Sequence, residues 1–244
     1  LAVGLVEPDG TQRVLPLTRH GEPLYATEQF ERTNSITFRG YSETCGLKFE
    51  FNVHSPFYPE NEPLCVMPVF YIECRVTWAP RVRWRVKDYE PLEKVRLFIR
   101  LARPDTRIDV EGDRINLSYG VPLSPQYGAA GGGAVEVDQT DAGVAHVRER
   151  LISLNEDASP TEGEDGSRGL TLDLPVTEED SGTKWRLVWV AHCGDEILQA
   201  GGHKGRFRYV RHWPDIDDLT RDALEHRSDY LLHSRRFEKL LEQA

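Results

Sequence analysis

The side chains best suited to catalysis or binding lie close together in the sequence, where an apolar run near the carboxyl end is followed by a glycine-rich loop. His192 and Cys193 are neighbours that suggest a base and a nucleophile. Asp195 and Glu196 suggest a pair of carboxylates, and His203 follows in the same loop. Each combination requires a particular backbone geometry, so each can be judged against the local sequence pattern.

A dyad and a zinc site are both disfavoured by spacing. Adjacent residues of a strand point to opposite faces, so His192 and Cys193 cannot share a hydrogen bond if the strand continues through them. A zinc site formed by His192, His203 and His212 would need intervals of eleven and nine residues, which match no compact metal motif. The sequence therefore predicts neither a metal nor a cofactor.

Asp195, Glu196 and His203 remain as candidate substrate-binding residues. Carboxylates that follow a buried strand lie where a β-sandwich can meet a ligand. Catalysis by two carboxylates depends on their separation in space, which the sequence does not give. Three alternatives stay open: a solvated role that braces the loop, substrate binding, and catalysis by the chain itself with His192.

Tryptophans and glycines offer two further patterns. Five tryptophans could stack on sugars, but Trp84, Trp185 and Trp189 have the neighbours of core strands. The glycine-rich stretch 128–133 is followed by Ala-Val-Glu-Val rather than the Gly-Lys-Ser/Thr of a phosphate-binding loop. We interpret these tryptophans as core residues and the glycines as a connection.

Composition narrows the class of protein. A hydrophobic share of 39% with 29% charged residues is typical of a folded globular chain. A net charge of −10 disfavours a nucleic-acid binder, and the absence of an eighteen-residue apolar run predicts no membrane span. The single methionine is Met67, so Leu1 is no initiator and we expect a chain cut from something larger.

Cysteine spacing and the first residues bear on the compartment. None of the four cysteines forms a Cys-x-x-Cys pair, which favours buried free thiols, with one disulfide as the alternative. The cysteines are Cys45, Cys65, Cys74 and Cys193. Residues 1–6 have no basic flank or cleavage signature, so they predict a strand rather than a signal peptide and favour the cytoplasm.

Alternating hydrophobicity predicts an all-β fold. In residues 46–54, Leu47, Phe49, Phe51 and Val53 share one face and polar residues the other. Similar patterns predict further strands at 1–6, 11–17, 34–41, 64–77, 82–88, 95–101, 107–110, 114–118, 144–154, 169–174 and 184–192. We interpret 19–33, 55–63, 120–133, 155–168 and 194–206 as irregular, with 155–168 mobile. These elements predict one large antiparallel β-sandwich.

Residues 206–244 predict a linker and one long amphipathic helix. Pro214 and three nearby aspartates suit a first turn, and no glycine or proline follows. The helix would be an uninterrupted rod of about 40–45 Å. Its apolar or small residues recur at helical spacing: Ile216, Leu219, Ala223, Tyr230, Ser234, Phe237 and Leu241. We expect this face to be partly shaped for a partner domain.

Several short motifs resemble one enzyme family. Phe38-Arg-Gly-Tyr, the strand 47–53, His54-Ser-Pro-Phe-Tyr-Pro and Met67-Pro-Val-Phe-Tyr-Ile-Glu-Cys follow one another in order. Together they resemble the amino-terminal domain of glycoside hydrolase family 116, which includes the bile acid β-glucosidases, or non-lysosomal glucosylceramidases. Phe207-Arg-Tyr-Val-Arg-His-Trp-Pro-Asp resembles the family's passage from this sandwich into a helical barrel.

The resemblance implies retaining glycosidase chemistry in an (α/α)₆ barrel that would follow residue 244. No residue here matches the family's catalytic carboxylates, and the glycine-rich opening typical of the family is missing. We therefore expect residues 1–205 to be a non-catalytic sandwich and 206–244 to lead toward a helical catalytic domain or subunit. Carbohydrate substrate would be met through that parent enzyme. The alternative is an independent carbohydrate- or protein-binding module.

Overall fold

The computed structural model describes residues 1–17, 21–79, 92–122, 143–177, 182–200 and 203–243. Within these ranges the chain forms sixteen strands and three α-helices, and a 3-10 turn lies at Arg208–Arg211. Two sheets face each other, which confirms the predicted all-β sandwich with a helical carboxyl-terminal segment.

The larger sheet has eight strands, and every neighbouring pair is antiparallel. In spatial order they are β4 (Tyr25–Glu31), β5 (Ser35–Ser42), β6 (Leu47–His54), β7 (Val69–Trp78), β14 (Trp185–His192), β11 (Val144–Ser153), β10 (Arg114–Pro122) and β9 (Arg107–Glu111). Strand β14 therefore lies between two groups of strands that come earlier in the chain.

The smaller sheet has six strands and is antiparallel except for one parallel pair at its edge. In spatial order they are β12 (Ser159–Glu162), β13 (Arg168–Pro175), β8 (Lys94–Leu101), β1 (Ala2–Val6), β2 (Gln12–Val14) and β3 (Glu22–Pro23). A separate hairpin consists of β15 (Leu198–Ala200) and β16 (His203–Gly205).

The main core lies between the two sheets. Leu47, Phe49 and Phe51 of β6 are almost fully buried there, as their alternation predicts. They pack in one cluster with residues of β8 and β14 that include Leu97 and Trp185. Burial of each such side chain contributes about 1.5–3 kcal/mol, so this layer is the principal source of stability.

A second core covers the outer face of the larger sheet. Helix α2 (Ile216–Glu225) places Leu219 and Ala223 against Tyr71 and Val188, and all four are buried. Helix α3 (Arg227–Gln243) continues over the neighbouring strands. The face that carries Leu219 and Ala223 is thus packed on this chain's own sheet.

The terminal helix is interrupted at His226, where the prediction of an unbroken rod is wrong. The His226 N–H donates to the carbonyl of Asp222 and closes α2, and the residue's φ and ψ of −103° and 11° leave the helical range. The apolar spacing contained one seven-residue step, from Ala223 to Tyr230. That step fits one helix or two, so it could not reveal the interruption.

A short helix, α1 (Glu62–Val66), occupies a stretch predicted to be irregular and then a strand. Asn61 accepts a hydrogen bond from the Leu64 N–H at 3.3 Å, and Pro63 lies in the first turn, where its missing N–H costs nothing. Strand β7 therefore begins at Val69 rather than at residue 64.

Four other stretches predicted to be irregular contain strand residues. Strands β3 and β4 lie within 19–33, β12 lies within 155–168, and the β15–β16 hairpin lies within 194–206, while β10 continues to Pro122, inside 120–133. All seven residues of β4 are exposed, so this edge strand has no hydrophobic alternation to detect. The predicted strand 82–88, with Trp84, and the glycine-rich stretch 128–133 lie outside the described residues.

All four cysteines are free thiols. Three of them, Cys45, Cys74 and Cys193, are buried as predicted, and burial raises the pKa of the Cys74 thiol. Cys65 is exposed on α1, which departs from the prediction of burial.

Candidate functional site

Asp195 and Glu196 lie just after β14 and belong to two separate surface pairs. The Oδ2 atom of Asp195 accepts the backbone N–H of His146 at 2.6 Å and lies 3.0 Å from its Nδ1. The backbone and side-chain hydrogen bonds from His146 lower the pKa of Asp195. Glu196 pairs with Arg206 at 3.5 Å. Both carboxylates are thus engaged in contacts that brace the loop.

The two candidate histidines, His203 and His192, lie on different strands. His203 lies in β16 and pairs through the backbone with Ala200. His192 is buried, and its Nε2 lies 3.0 Å from the carbonyl oxygen of Trp213, to which it must donate. In the described part of the chain, no three His, Cys, Asp or Glu residues are arranged to hold a metal.

The residues around Cys193 attach the start of the helical segment to the sheet. The Cys193 N–H donates to the Tyr209 hydroxyl at 2.7 Å, and that hydroxyl donates to the Cys193 carbonyl at 3.1 Å. The Tyr209 ring meets the His192 ring edge-on, with centroids 5.5 Å apart. His192 and Cys193 therefore act as packing residues in this structure.

Three of the described tryptophans lie in or against the two cores and donate their indole N–H groups to side chains. Trp185 is fully buried and donates to Ser153 at 3.0 Å. Trp189 is half-buried against the main core and donates to Glu149 at 2.9 Å. Trp213 belongs to the second core and donates to Asp222 at 3.0 Å. The predicted core position is confirmed for Trp185, and Trp189 packs against the core without being fully buried in it.

Sequence reasoning missed a polar cavity of about 300 Å³ between the outer face of the larger sheet and α3. We call it the α3 cleft. Its floor is formed by four residues of β6 and β7: Asn52, His54, Tyr71 and Glu73. Its roof is formed by six residues of α3: Arg227, Leu231, Arg235, Glu238, Lys239 and Glu242. Arg32 and Ser35 complete the wall near β5.

Strand register explains why this patch of sheet is polar. His54 pairs with Tyr71 and Asn52 pairs with Glu73, so four polar side chains share the outer face. Helix α3 is held beside them at Phe57, whose N–H donates to Ser234 at 2.9 Å and whose ring lies 5.5 Å from that of Phe237. The polar floor and the bonds at the helix edge leave a gap that apolar packing would have closed.

His54 is the most unusual residue of the cleft. It is 8% exposed, and its buried Nε2 has no hydrogen-bond partner in the described ranges. Burial and then the nearby Arg235 lower the pKa of His54 to about 4. The imidazole is therefore neutral at physiological pH and offers one donor and one acceptor.

Glu73 is the charged centre of the floor. Burial would raise its pKa, but Lys184, Arg227 and Arg186 outweigh burial, so the pKa of Glu73 is lowered. Its oxygens lie 2.9 Å from Lys184 Nζ and 3.5 Å from Arg227 Nη2. Glu73 is thus an ionised carboxylate at the junction of the sheet with α3.

No family model and no curated protein matches the sequence. Among solved structures, the fold is similar to that of a putative kojibiose phosphorylase from the human microbiome, with 10% sequence identity and a TM-score of 0.43. The match covers 84% of this chain and 23% of the phosphorylase, so the chain spans less than a quarter of that protein's length. No helix in the described ranges is long and apolar enough to cross a bilayer.

Proposed function

We propose that this chain is the non-catalytic β-sandwich portion of a glycoside hydrolase, and that its terminal helices lead to a helical catalytic domain. The sequence motifs that resemble those of glycoside hydrolase family 116 support the class of enzyme. The observation that carries the role of the helices is the uneven burial of α3.

The burial of apolar side chains changes along helix α3. Leu231 and Ser234 are buried against the sheet, whereas Leu240 and Leu241 are 61% and 45% exposed. Leu232 is also exposed. Leu240 and Leu241 are adjacent at the end of α3, and exposed leucines of this kind are suited to packing against another apolar surface. In this proposal that surface belongs to the catalytic domain.

The state of the carboxylates supports a non-catalytic role. Retaining glycosidases need an ionised nucleophile and a protonated acid about 5–5.5 Å apart. Asp195, Glu196 and Glu73 are each paired with cationic or hydrogen-bonding groups, and the pKa of Asp195 and that of Glu73 are lowered. A carboxyl group stabilised in its ionised form is a poor general acid at neutral pH.

The test compares residues 1–244 alone with the same chain plus a helical barrel encoded in the same or an adjacent reading frame. We expect no hydrolysis of aryl glycosides by the chain alone, and we expect association and hydrolysis when the barrel is added. Association is measured by sedimentation velocity. The double variant L240E/L241E should weaken it, because two charges would be buried at the contact.

A matched control is L154E, which changes a leucine that is exposed on the sheet, 37% accessible and remote from α3 in sequence. L154E should associate as the wild type does. Turnover by the chain alone that disappears in Asp195→Asn would instead identify a self-sufficient enzyme. Equal association of wild type and L240E/L241E would show that this end of α3 does not contribute to the interface.

A further inference from the structure

The α3 cleft contains charged groups that the protein itself does not use. Arg32, Arg235 and Lys239 line it without an ion-pair partner in the described part of the chain, and so does the carboxylate of Glu242. Glu238 accepts one hydrogen bond, from the Asn34 N–H at 3.2 Å. Donors and acceptors therefore stand side by side around a cavity without neutralising each other.

The floor adds an unmet hydrogen-bonding group. The buried Nε2 of His54 has no partner among the described residues, and a buried polar nitrogen without a partner costs about 1–3 kcal/mol. Nε2 has almost no accessible surface, so a ligand hydroxyl or one bridging water would reach it once the His54 ring turns toward the cleft that it lines. Because the imidazole is neutral, it suits a hydroxyl group better than it suits an anion.

The mixture of charges argues against a multiply charged ligand. The cleft sets four cations, those of Arg32, Arg227, Arg235 and Lys239, against three carboxylates, those of Glu73, Glu238 and Glu242, so only one positive charge is in excess. A dianion would meet the carboxylates of α3 at close range, whereas a polyol can donate to them and accept from the cations. Hydroxyl groups are the chemical class that uses both kinds of partner at once.

Size restricts the ligand further. A volume of about 300 Å³ is at the lower end of the range for small-molecule sites. We propose that the α3 cleft binds a single monosaccharide-sized polyol, through hydroxyl contacts with Arg235 and Glu242 of α3 and with His54 on the floor. All the residues that form this site belong to this chain.

The test is an NMR titration of the 244-residue chain, observing the His54 ring and the amides of residues 232–242. The probes are D-glucose, D-galactose, D-mannose and D-xylose, each added separately to millimolar concentrations. We expect saturable shifts of these signals with at least one sugar. In R235Q the Kd for that sugar should rise about tenfold, as expected for loss of one charged hydrogen bond.

The matched control is R236Q, because Arg236 is the next residue of α3, is exposed and does not line the cleft. Its Kd should stay within about twofold, which is less than the loss of a typical hydrogen bond would produce. If R235Q unfolds in a thermal melt, E242Q replaces it, with the same expectation.

Three results would overturn the proposal. They are an absence of shifts with all four sugars, equal weakening in R235Q and R236Q, and shifts with sodium phosphate or acetate but with no sugar. The last result would show an anion site instead. None of them bears on the docking role of α3, which is measured by association through Leu240 and Leu241.

Discussion

Helices α2 and α3 follow one another on the same face of the same sheet, yet they are attached in different ways. Helix α2 lies on an apolar surface, where Leu219 and Ala223 are completely buried. Helix α3 lies over the polar ends of β5, β6 and β7, and its buried residues are Leu231 and Ser234. The character of the sheet beneath each helix therefore decides how firmly it is held.

The ends of the two helices show the same contrast. Asp215 caps α2 by accepting the N–H groups of Asp217 and Asp218, both at 2.9 Å. The far end of α3 instead presents Leu240 and Leu241 to solvent. We infer that α2 belongs to the stability of the sandwich, whereas α3 is available for binding.

The largest expected effect is on α2. Leu219→Ala should lower the free energy of unfolding by about 2–5 kcal/mol, because it leaves a cavity in the second core. The matched change in α3, Leu240→Ala, should alter it by less than about 0.5 kcal/mol, since Leu240 is exposed. Urea unfolding measures both. Similar losses in the two variants would contradict the contrast between the helices.

The next largest effect is the pH dependence of stability that arises from His54, which lies beneath α3. The pKa of His54 is about 4 in the folded chain, below its ordinary value of 6.5. The unfolded state therefore binds more protons between these values, and stability falls as the pH is lowered through this window. We expect a loss of about 2 kcal/mol between pH 7 and pH 5.

The substitution His54→Gln should remove most of this loss of stability above pH 5. Glu73, whose folded pKa is lowered, contributes stability that is present above its unfolded value of 4.5 and is lost only at lower pH. Urea melts at intervals of half a pH unit therefore separate the two groups. An unchanged slope in His54→Gln would place the titrating group elsewhere.

A smaller effect should follow from loosening α3 directly. Ser234→Ala removes the acceptor of the Phe57 N–H and should cost about 1 kcal/mol. Ser228→Ala, at an exposed position of the same helix, should cost almost nothing. Thermal melts of both variants compare the two. A cost for Ser228→Ala as large as that for Ser234→Ala would show that α3 is held along its whole length.

The last prediction concerns local opening of the backbone and requires no substitution. Backbone amides at 237–243 should exchange with deuterium faster than those at 219–224, because few buried contacts hold the end of α3. Exchange followed by mass spectrometry measures this at peptide resolution. Equal protection of the two peptides would mean that α3 is as firmly docked as α2.

Much of the sandwich could be predicted because a strand with one buried face has alternating apolar and polar residues. Leu47, Phe49 and Phe51 alternate with polar residues because one face of β6 meets the core. Strand β4 shows no such alternation, since it is an edge strand with every residue exposed. The break at His226 was hidden for a related reason: one apolar step of seven residues fits one helix or two.

The α3 cleft could not be predicted from spacing. Its floor depends on the pairing of Asn52 with Glu73 and of His54 with Tyr71, and its roof comes from a helix more than 150 residues further along the chain. The outward polar positions of β6 were visible in the sequence. What lies above them is a tertiary contact, and no local pattern records it.

The position of β14 has a consequence for the order in which the chain acquires its structure during synthesis. Residues 25–78 can form a four-stranded meander, and residues 107–153 a three-stranded one, soon after each is made. The two meet only through β14, which pairs with β7 on one side and β11 on the other. Until residue 192 has left the ribosome, each meander keeps an unpaired inner edge, and such edges invite pairing with other chains. Completion of the larger sheet is therefore a late event, and we expect nascent chains that stop before residue 185 to aggregate.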